Sequence, residues 1–98
     1  MVRSKASQSK HNVEVRRTAN QLKKQGYNVK ADIIGFSRPD TIDGFRPDVI
    51  AQKGNIRKIV EVETPDSVDS VRDQKQQKAF KNSAARSKAT TFIRKVTK

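Results

Sequence analysis

Hydrophobic residues near the start of the chain recur at the spacing of a helix. Three of them stand four and three positions apart, which places them on one helical face: Val15, Ala19 and Leu22. We predict a helix from Lys10 to Gln25, with Ser9 as its N-cap and Gly26 as the residue that ends it. The polar and basic segment 1–9 is predicted to be a flexible arm.

The middle of the chain changes to the alternation of apolar and polar residues that is typical of strands. We predict a strand over residues 27–36 and a loop over residues 37–46, where Pro, Asp and Gly are concentrated. Two runs rich in β-branched residues follow, separated by Gly54 and Asn55. This pattern predicts a β-hairpin whose two-residue turn is of type II′, with Gly in its first position.

The last third of the chain predicts a second helix and a final strand. Thr64 is a suitable N-cap, Pro65 suits the first helical position, and Asp66 suits the first turn. We therefore predict a helix over residues 65–85 and a strand over residues 90–96.

These elements follow one another in the order α, β, β, β, α, β, which predicts an α/β (α+β mixed) fold with helices against a mixed sheet. Residues 10–98 form a single predicted domain, as expected for a chain of 98 residues. Ten valines and seven isoleucines stand against one leucine, which favours a fold that contains a sheet.

Composition restricts the possible chemistry. The chain has no cysteine, so disulfides and thiolate metal sites are excluded, and a reducing compartment is suitable. It has no apolar run of membrane-spanning length and no signal-peptide pattern. We expect a soluble protein of the cytoplasm. The one histidine, His11, is expected to be a solvated residue at the start of the first helix.

The net charge of +12 indicates a polyanionic partner, and nucleic acid is the most common one. Residues 1–30 hold eight basic residues and one acid, and residues 74–98 hold eight basic residues and no acid. The central segment, residues 31–73, instead holds nine acids and six basic residues. We expect seven cations to contact a nucleic-acid backbone: Arg16, Arg17, Lys23, Lys24, Lys81, Arg86 and Lys88.

The predicted hairpin brings two of the central acids together. If Gly54 and Asn55 form the turn, Asp48 lies directly opposite Glu61, and Glu63 lies on the same face as Glu61. Because like charges in that position destabilise a hairpin, a divalent cation could compensate for their repulsion.

The same acids also have interpretations that require no metal. Glutamates on strands commonly face solvent, Glu63 could pair with a neighbouring lysine, and Glu61 could lie near Lys58 or Arg46. A bulge in the hairpin would also shift the register by one residue and turn Asp48 to the opposite face.

The sequence Arg46-Pro47-Asp48, followed after twelve residues by Glu61-Val62-Glu63, resembles the PD-(D/E)xK nuclease superfamily. That superfamily includes restriction endonucleases and archaeal Holliday-junction resolvases. The resemblance covers roughly residues 10–96 and implies a restriction-endonuclease-like αβββαβ core. It also implies that Asp48 and Glu61 bind Mg²⁺ or Mn²⁺ during hydrolysis of DNA.

The resemblance extends to further residues and departs from the family at one. Glu14 matches a glutamate of the first helix, which would be an outer metal ligand, and Gln74 matches a polar residue of the second helix. The lysine of the motif is replaced by Glu63, which would bind the metal or orient water. Lys75 or Lys78 would then act near the scissile phosphate in place of that lysine.

The resulting hypothesis is a metal-dependent endonuclease acting on duplex or branched DNA, with a homodimer as a possible assembly. The missing lysine keeps a second hypothesis open, which is a non-catalytic nucleic-acid-binding module on the same fold. A third hypothesis is an RNA-binding scaffold protein.

Overall fold

The computed structural model of the protein describes residues 5–64 and 71–97 and confirms the predicted order of elements. The helices and strands are α1 (Lys5–Lys24), β1 (Asn28–Ala31), β2 (Val49–Lys53), β3 (Ile56–Glu63), α2 (Val71–Ala85) and β4 (Thr90–Val96). No helix in these ranges is both long and apolar enough to cross a membrane.

The four strands form one mixed sheet in the order β1-β2-β3-β4. β2 is antiparallel to both β1 and β3, and β4 runs parallel to β3. Two parallel neighbours need a long crossover connection, and α2 lies in that connection. The mixed sheet predicted from the sequence is therefore confirmed.

One helix covers each face of the sheet. The apolar stripe of α1 packs with residues of β2 and β3 in one buried cluster: Val15, Ala19, Leu22, Val49, Ala51, Val60 and Val62. On the opposite face, Ala79 and Phe80 of α2 pack with Ile59. The rings of Phe80 and Phe92 stack in a tilted arrangement with centroids 5.8 Å apart.

The hairpin has the predicted turn and the predicted register. Lys53 pairs with Ile56, and Ile50 pairs with Ile59. Gly54 has a φ of +58°, and Asp43 is the only non-glycine residue with a positive φ among those described. A positive φ at the first turn residue alone is the type II′ pattern. A Gly at this position avoids the strain that a Cβ atom would cause.

The structure differs from the predicted boundaries at the start of α1 and at the end of β1. α1 begins at Lys5, so residues 5–9 of the predicted arm are helical and Ser9 lies inside the helix. Lys, Ala and Gln in this segment are good helix formers, which accounts for the earlier start. β1 ends at Ala31 because the chain then turns, with Gly35 at a φ of +98°. The predicted helix entry at residues 65–66 lies outside the described residues.

Candidate active site

The structure brings Asp48 and Glu61 together at the end of the hairpin, as the predicted register requires. The main-chain N–H of Asp48 donates to Glu61 Oε1 at 3.0 Å. In return, the main-chain N–H of Val62 donates to Asp48 Oδ2 at 2.8 Å. Each carboxylate therefore reaches the main chain of the opposite strand. We refer to Asp48 and Glu61 as the carboxylate pair.

The local sequence explains why a side chain continues the strand pairing here. The regular ladder of β2 and β3 ends at Val49 and Val60, and the residue before Asp48 is Pro47, which has no N–H to donate. The Asp48 carboxylate supplies the acceptor for the next N–H of β3. From the opposite side, Asp32 N–H donates to the Asp48 carbonyl oxygen at 2.9 Å, so Asp48 is held from both neighbouring segments.

His11 is the residue of α1 that reaches the carboxylate pair. Its Nε2 lies 3.1 Å from Asp48 Oδ1, and its Nδ1 lies 3.2 Å from Asn12 Oδ1. The prediction of a solvated residue was wrong, because only 6% of His11 is exposed. The Asp48 carboxylate is an acceptor, so the contact at Nε2 is a hydrogen bond when this nitrogen carries hydrogen.

Glu63 lies at the end of β3, two residues beyond Glu61 and on the same face. It is only 3% exposed, and the N–H of Thr97 donates to its carbonyl oxygen at 2.8 Å. In the neighbouring strand, Arg94 is the register partner of Glu61, so the two side chains share this face of the sheet. Arg94 is the cation that the sequence prediction missed near the pair.

Glu14 is held in a different group of side chains. Its Oε2 accepts from Thr18 Oγ1 at 3.3 Å and lies 3.7 Å from Lys95 Nζ, while Arg17 Nη1 lies 3.5 Å from its Oε1. Lys95 also donates to Thr18 at 3.1 Å. Glu14, which the resemblance assigns to the metal, thus lies about one turn of α1 after His11, the residue that contacts Asp48.

The polar residues predicted on α2 lie on its exposed side. Lys75 and Lys78 are both exposed, as is Gln74. A shallow depression of ≈ 420 Å³ is lined by Gln74, Gln77, Lys78, Lys81 and Asn82, and the carboxylate pair does not line it.

The cations predicted to contact a nucleic-acid backbone are all exposed. Four of them lie on α1, one lies on α2, and two follow the end of α2: Arg16, Arg17, Lys23, Lys24, Lys81, Arg86 and Lys88. An exposed cation can neutralise a phosphate and thereby release a condensed counterion.

Comparisons of the chain with protein-family models and with curated proteins find no match. The carboxylate pair and the charges around it are therefore the features that bear on function.

The donors of the pair fit one kind of metal ion. Within residues 5–64 and 71–97, no group of three or more His, Cys, Asp or Glu side chains is arranged to hold a metal. Two carboxylates alone are nevertheless a usual protein contribution to a Mg²⁺ site, because Mg²⁺ keeps several waters and takes its remaining ligands from substrate phosphates. A closed site of the zinc type, with four protein ligands, does not fit these residues.

Of two residues near the carboxylate pair, His11 has a recognisable signal in the sequence and Arg94 has none. His11 stands four positions before Val15 and therefore lies on the apolar stripe of α1, which is a signal of burial. Arg94 gives no such signal, because its position beside Glu61 depends on the register of two parallel strands that are far apart in the sequence.

Proposed function

We propose that the protein is a metal-dependent endonuclease that hydrolyses phosphodiester bonds in duplex or branched DNA. The observation that carries the proposal is the two hydrogen bonds at the end of the hairpin, from Asp48 N–H to Glu61 Oε1 and from Val62 N–H to Asp48 Oδ2, which fix both carboxylates there. Adjacent carboxylates repel each other, and this repulsion favours the binding of a divalent cation. The net charge of +12 supports a polyanionic substrate.

The hydrogen bonds on Asp48 leave acceptor positions for a cation. A carboxylate offers about four acceptor positions. The bonds from Val62 N–H and His11 therefore do not saturate Asp48. Mg²⁺ or Mn²⁺ bound there would supply a nucleophilic water and neutralise charge on the phosphodiester.

The protein side chains have separate roles in this proposal. Asp48 and Glu61 would hold the ion, and His11 would orient the Asp48 carboxylate through its Nε2 contact. Glu63 orients the attacking water from its position beside Glu61, in place of the lysine of the resembling nucleases. Arg94 stabilises negative charge on the phosphate from the neighbouring strand.

A second candidate function is a non-catalytic nucleic-acid-binding module. The observation that favours it is the buried glutamate at position 63, where the resembling nucleases have a lysine. In that case the bonds between Asp48, Glu61 and Val62 would serve only to fasten the end of the hairpin.

Cleavage assays distinguish the two functions. We expect wild-type protein to cut supercoiled plasmid or four-way-junction DNA with Mg²⁺ or Mn²⁺, and we expect Asp48→Asn and Glu61→Gln to remove this activity while DNA binding persists. Asp43→Asn, an exposed loop residue, is the matched control and should cut normally. Equal inactivity of wild type and Asp48→Asn on all substrates would favour the binding module. Preferential binding of structured RNA without a metal response would favour an RNA-binding scaffold.

A further inference from the structure

The exposed side of α1 is a surface with a composition of its own. Six exposed residues of the helix line a shallow depression of ≈ 490 Å³: Ser9, Asn12, Val13, Arg16, Arg17 and Asn20. Their spacing of mostly three and four residues places them along one side of the helix, opposite the stripe that packs on the sheet. We call these six residues the outer face of α1.

The surroundings of the outer face are positive along the whole helix. Four more exposed lysines lie on α1: Lys5, Lys10, Lys23 and Lys24. The one acid of the helix, Glu14, is held by Thr18 and lies close to Lys95 and Arg17. The helix has 20 residues, which corresponds to a length of about 30 Å. This length of positive charge complements a nucleic-acid backbone.

The centre of the outer face carries groups that recognise bases. Asn12, Arg16 and Asn20 follow one another at intervals of four residues. Asn binds the major-groove edge of adenine through two hydrogen bonds, and Arg binds that of guanine in the same way. Val13, which is 55% exposed, is suited to an apolar contact with the methyl group of thymine. Lysines would suffice for a surface that bound only phosphates.

We propose that the outer face of α1 enters the major groove of B-form duplex DNA, with Asn12, Arg16 and Asn20 at the base edges. The inference deepens the proposed function and rests on its choice of DNA as the substrate. The groove of B-form DNA is about 12 Å wide and admits a helix, whereas the major groove of double-stranded RNA is too narrow. Arg17 and Lys24 then contact the phosphates on the groove walls.

One contact links the outer face of α1 to the carboxylate pair. The side of α1 opposite the outer face is the inner side, which packs on the sheet. His11 lies on that inner side, 3.1 Å from Asp48. Asn12 Oδ1 lies 3.2 Å from the second ring nitrogen of His11 and also accepts from Gln8 Nε2 at 2.9 Å. A base that Asn12 contacts through its amide nitrogen would therefore be linked to His11 through this one side chain.

Binding without metal tests the inference. Fluorescence anisotropy with labelled duplex DNA is measured in EDTA for wild type, Arg16→Ala/Asn20→Ala and Arg17→Ala/Lys24→Ala. We expect the first variant to lose at least about tenfold in affinity for the preferred sequence selected from a random duplex pool. The second should weaken binding to all sequences and reduce the slope of log K against log salt by about two. Lys30→Ala, an exposed cation on β1, is the matched control and should bind as wild type does.

Groove-specific competitors give the second readout. Methyl green, which occupies the major groove, should displace the protein, and netropsin, which occupies the minor groove, should not. Displacement by netropsin alone, equal affinity for double-stranded RNA, or an equal loss in Lys30→Ala would overturn the inference. Circular dichroism confirms that each variant is folded.

The binding assay separates this inference from the proposed function. Metal-dependent cleavage that is insensitive to the α1 substitutions would overturn the docking mode and leave the endonuclease standing. Binding through α1 without any cleavage would support the docking mode and contradict the endonuclease.

Discussion

Replacing Asp48 by alanine should destabilise the protein by breaking the end of the hairpin. The Asp48 carboxylate accepts from Val62 N–H at 2.8 Å and lies 3.1 Å from His11 Nε2. Val62 is fully buried, so its N–H would lose its acceptor where water has little access. A hydrogen bond to a charged group contributes about 1.5–3 kcal/mol, and a buried donor without a partner costs about 1–3 kcal/mol.

Two features of the site lower the stability cost of losing these hydrogen bonds. The Asp48 side chain is 14% exposed, so water can replace part of the His11 contact. Removal of its charge also relieves repulsion from Glu61, which lowers the cost. We therefore expect Asp48→Ala to lose about 2–4 kcal/mol of unfolding free energy. Asp48→Asn keeps one acceptor oxygen and should lose about 1–2 kcal/mol.

Urea denaturation followed by circular dichroism measures these differences. Asp32→Asn is the matched control, because Asp32 is 41% exposed and its ion pair with Arg38 is long, at 3.5 Å. Such a surface pair should contribute less than about 0.5 kcal/mol. An Asp48→Ala protein as stable as the Asp32→Asn protein would refute the argument. The smaller expected loss also makes Asp48→Asn the better variant for activity measurements.

Three further substitutions test separate regions of the fold by the same denaturation assay. Phe80→Ala empties a fully buried site against Phe92 and should cost about 3–5 kcal/mol, and a loss below about 1 kcal/mol would contradict the packing. Gly54→Ala places a Cβ atom at a φ of +58° and should cost about 1–2 kcal/mol, whereas Asn55→Ala at the next position should cost less. Lys95→Ala removes a half-exposed ammonium from Thr18 and Glu14 and should cost at most about 1 kcal/mol, so a larger loss would show that this contact is essential for folding.

The parts of the site that depend on short-range signals were predictable from the sequence. A two-residue Gly-Asn turn fixes the register of the strands on either side, and this register alone places Asp48 opposite Glu61. The apolar spacing of Val15, Ala19 and Leu22 likewise indicates the face of α1 that packs on the sheet.

The remaining parts depend on contacts between distant segments. His11 was expected in solvent because the first helix was predicted to begin at Lys10, which placed His11 at its exposed end. Arg94 and Lys95 reach the two sides of the sheet through the parallel pairing of β3 and β4, which no local signal fixes. Lys95 in turn contributes to holding Glu14, which the resemblance alone would have assigned to the metal.

Binding of Mn²⁺ followed by NMR tests the central claim most directly, since it requires neither substrate nor turnover. Paramagnetic Mn²⁺ broadens the amide signals of residues close to it. We predict that the signals of Asp48, Glu61, Val62 and Glu63 broaden first in wild-type protein, and that Asp48→Asn and Glu61→Gln abolish this local effect. Broadening that is centred elsewhere, or that is unchanged in both variants, would contradict the assignment of the carboxylate pair as a metal site.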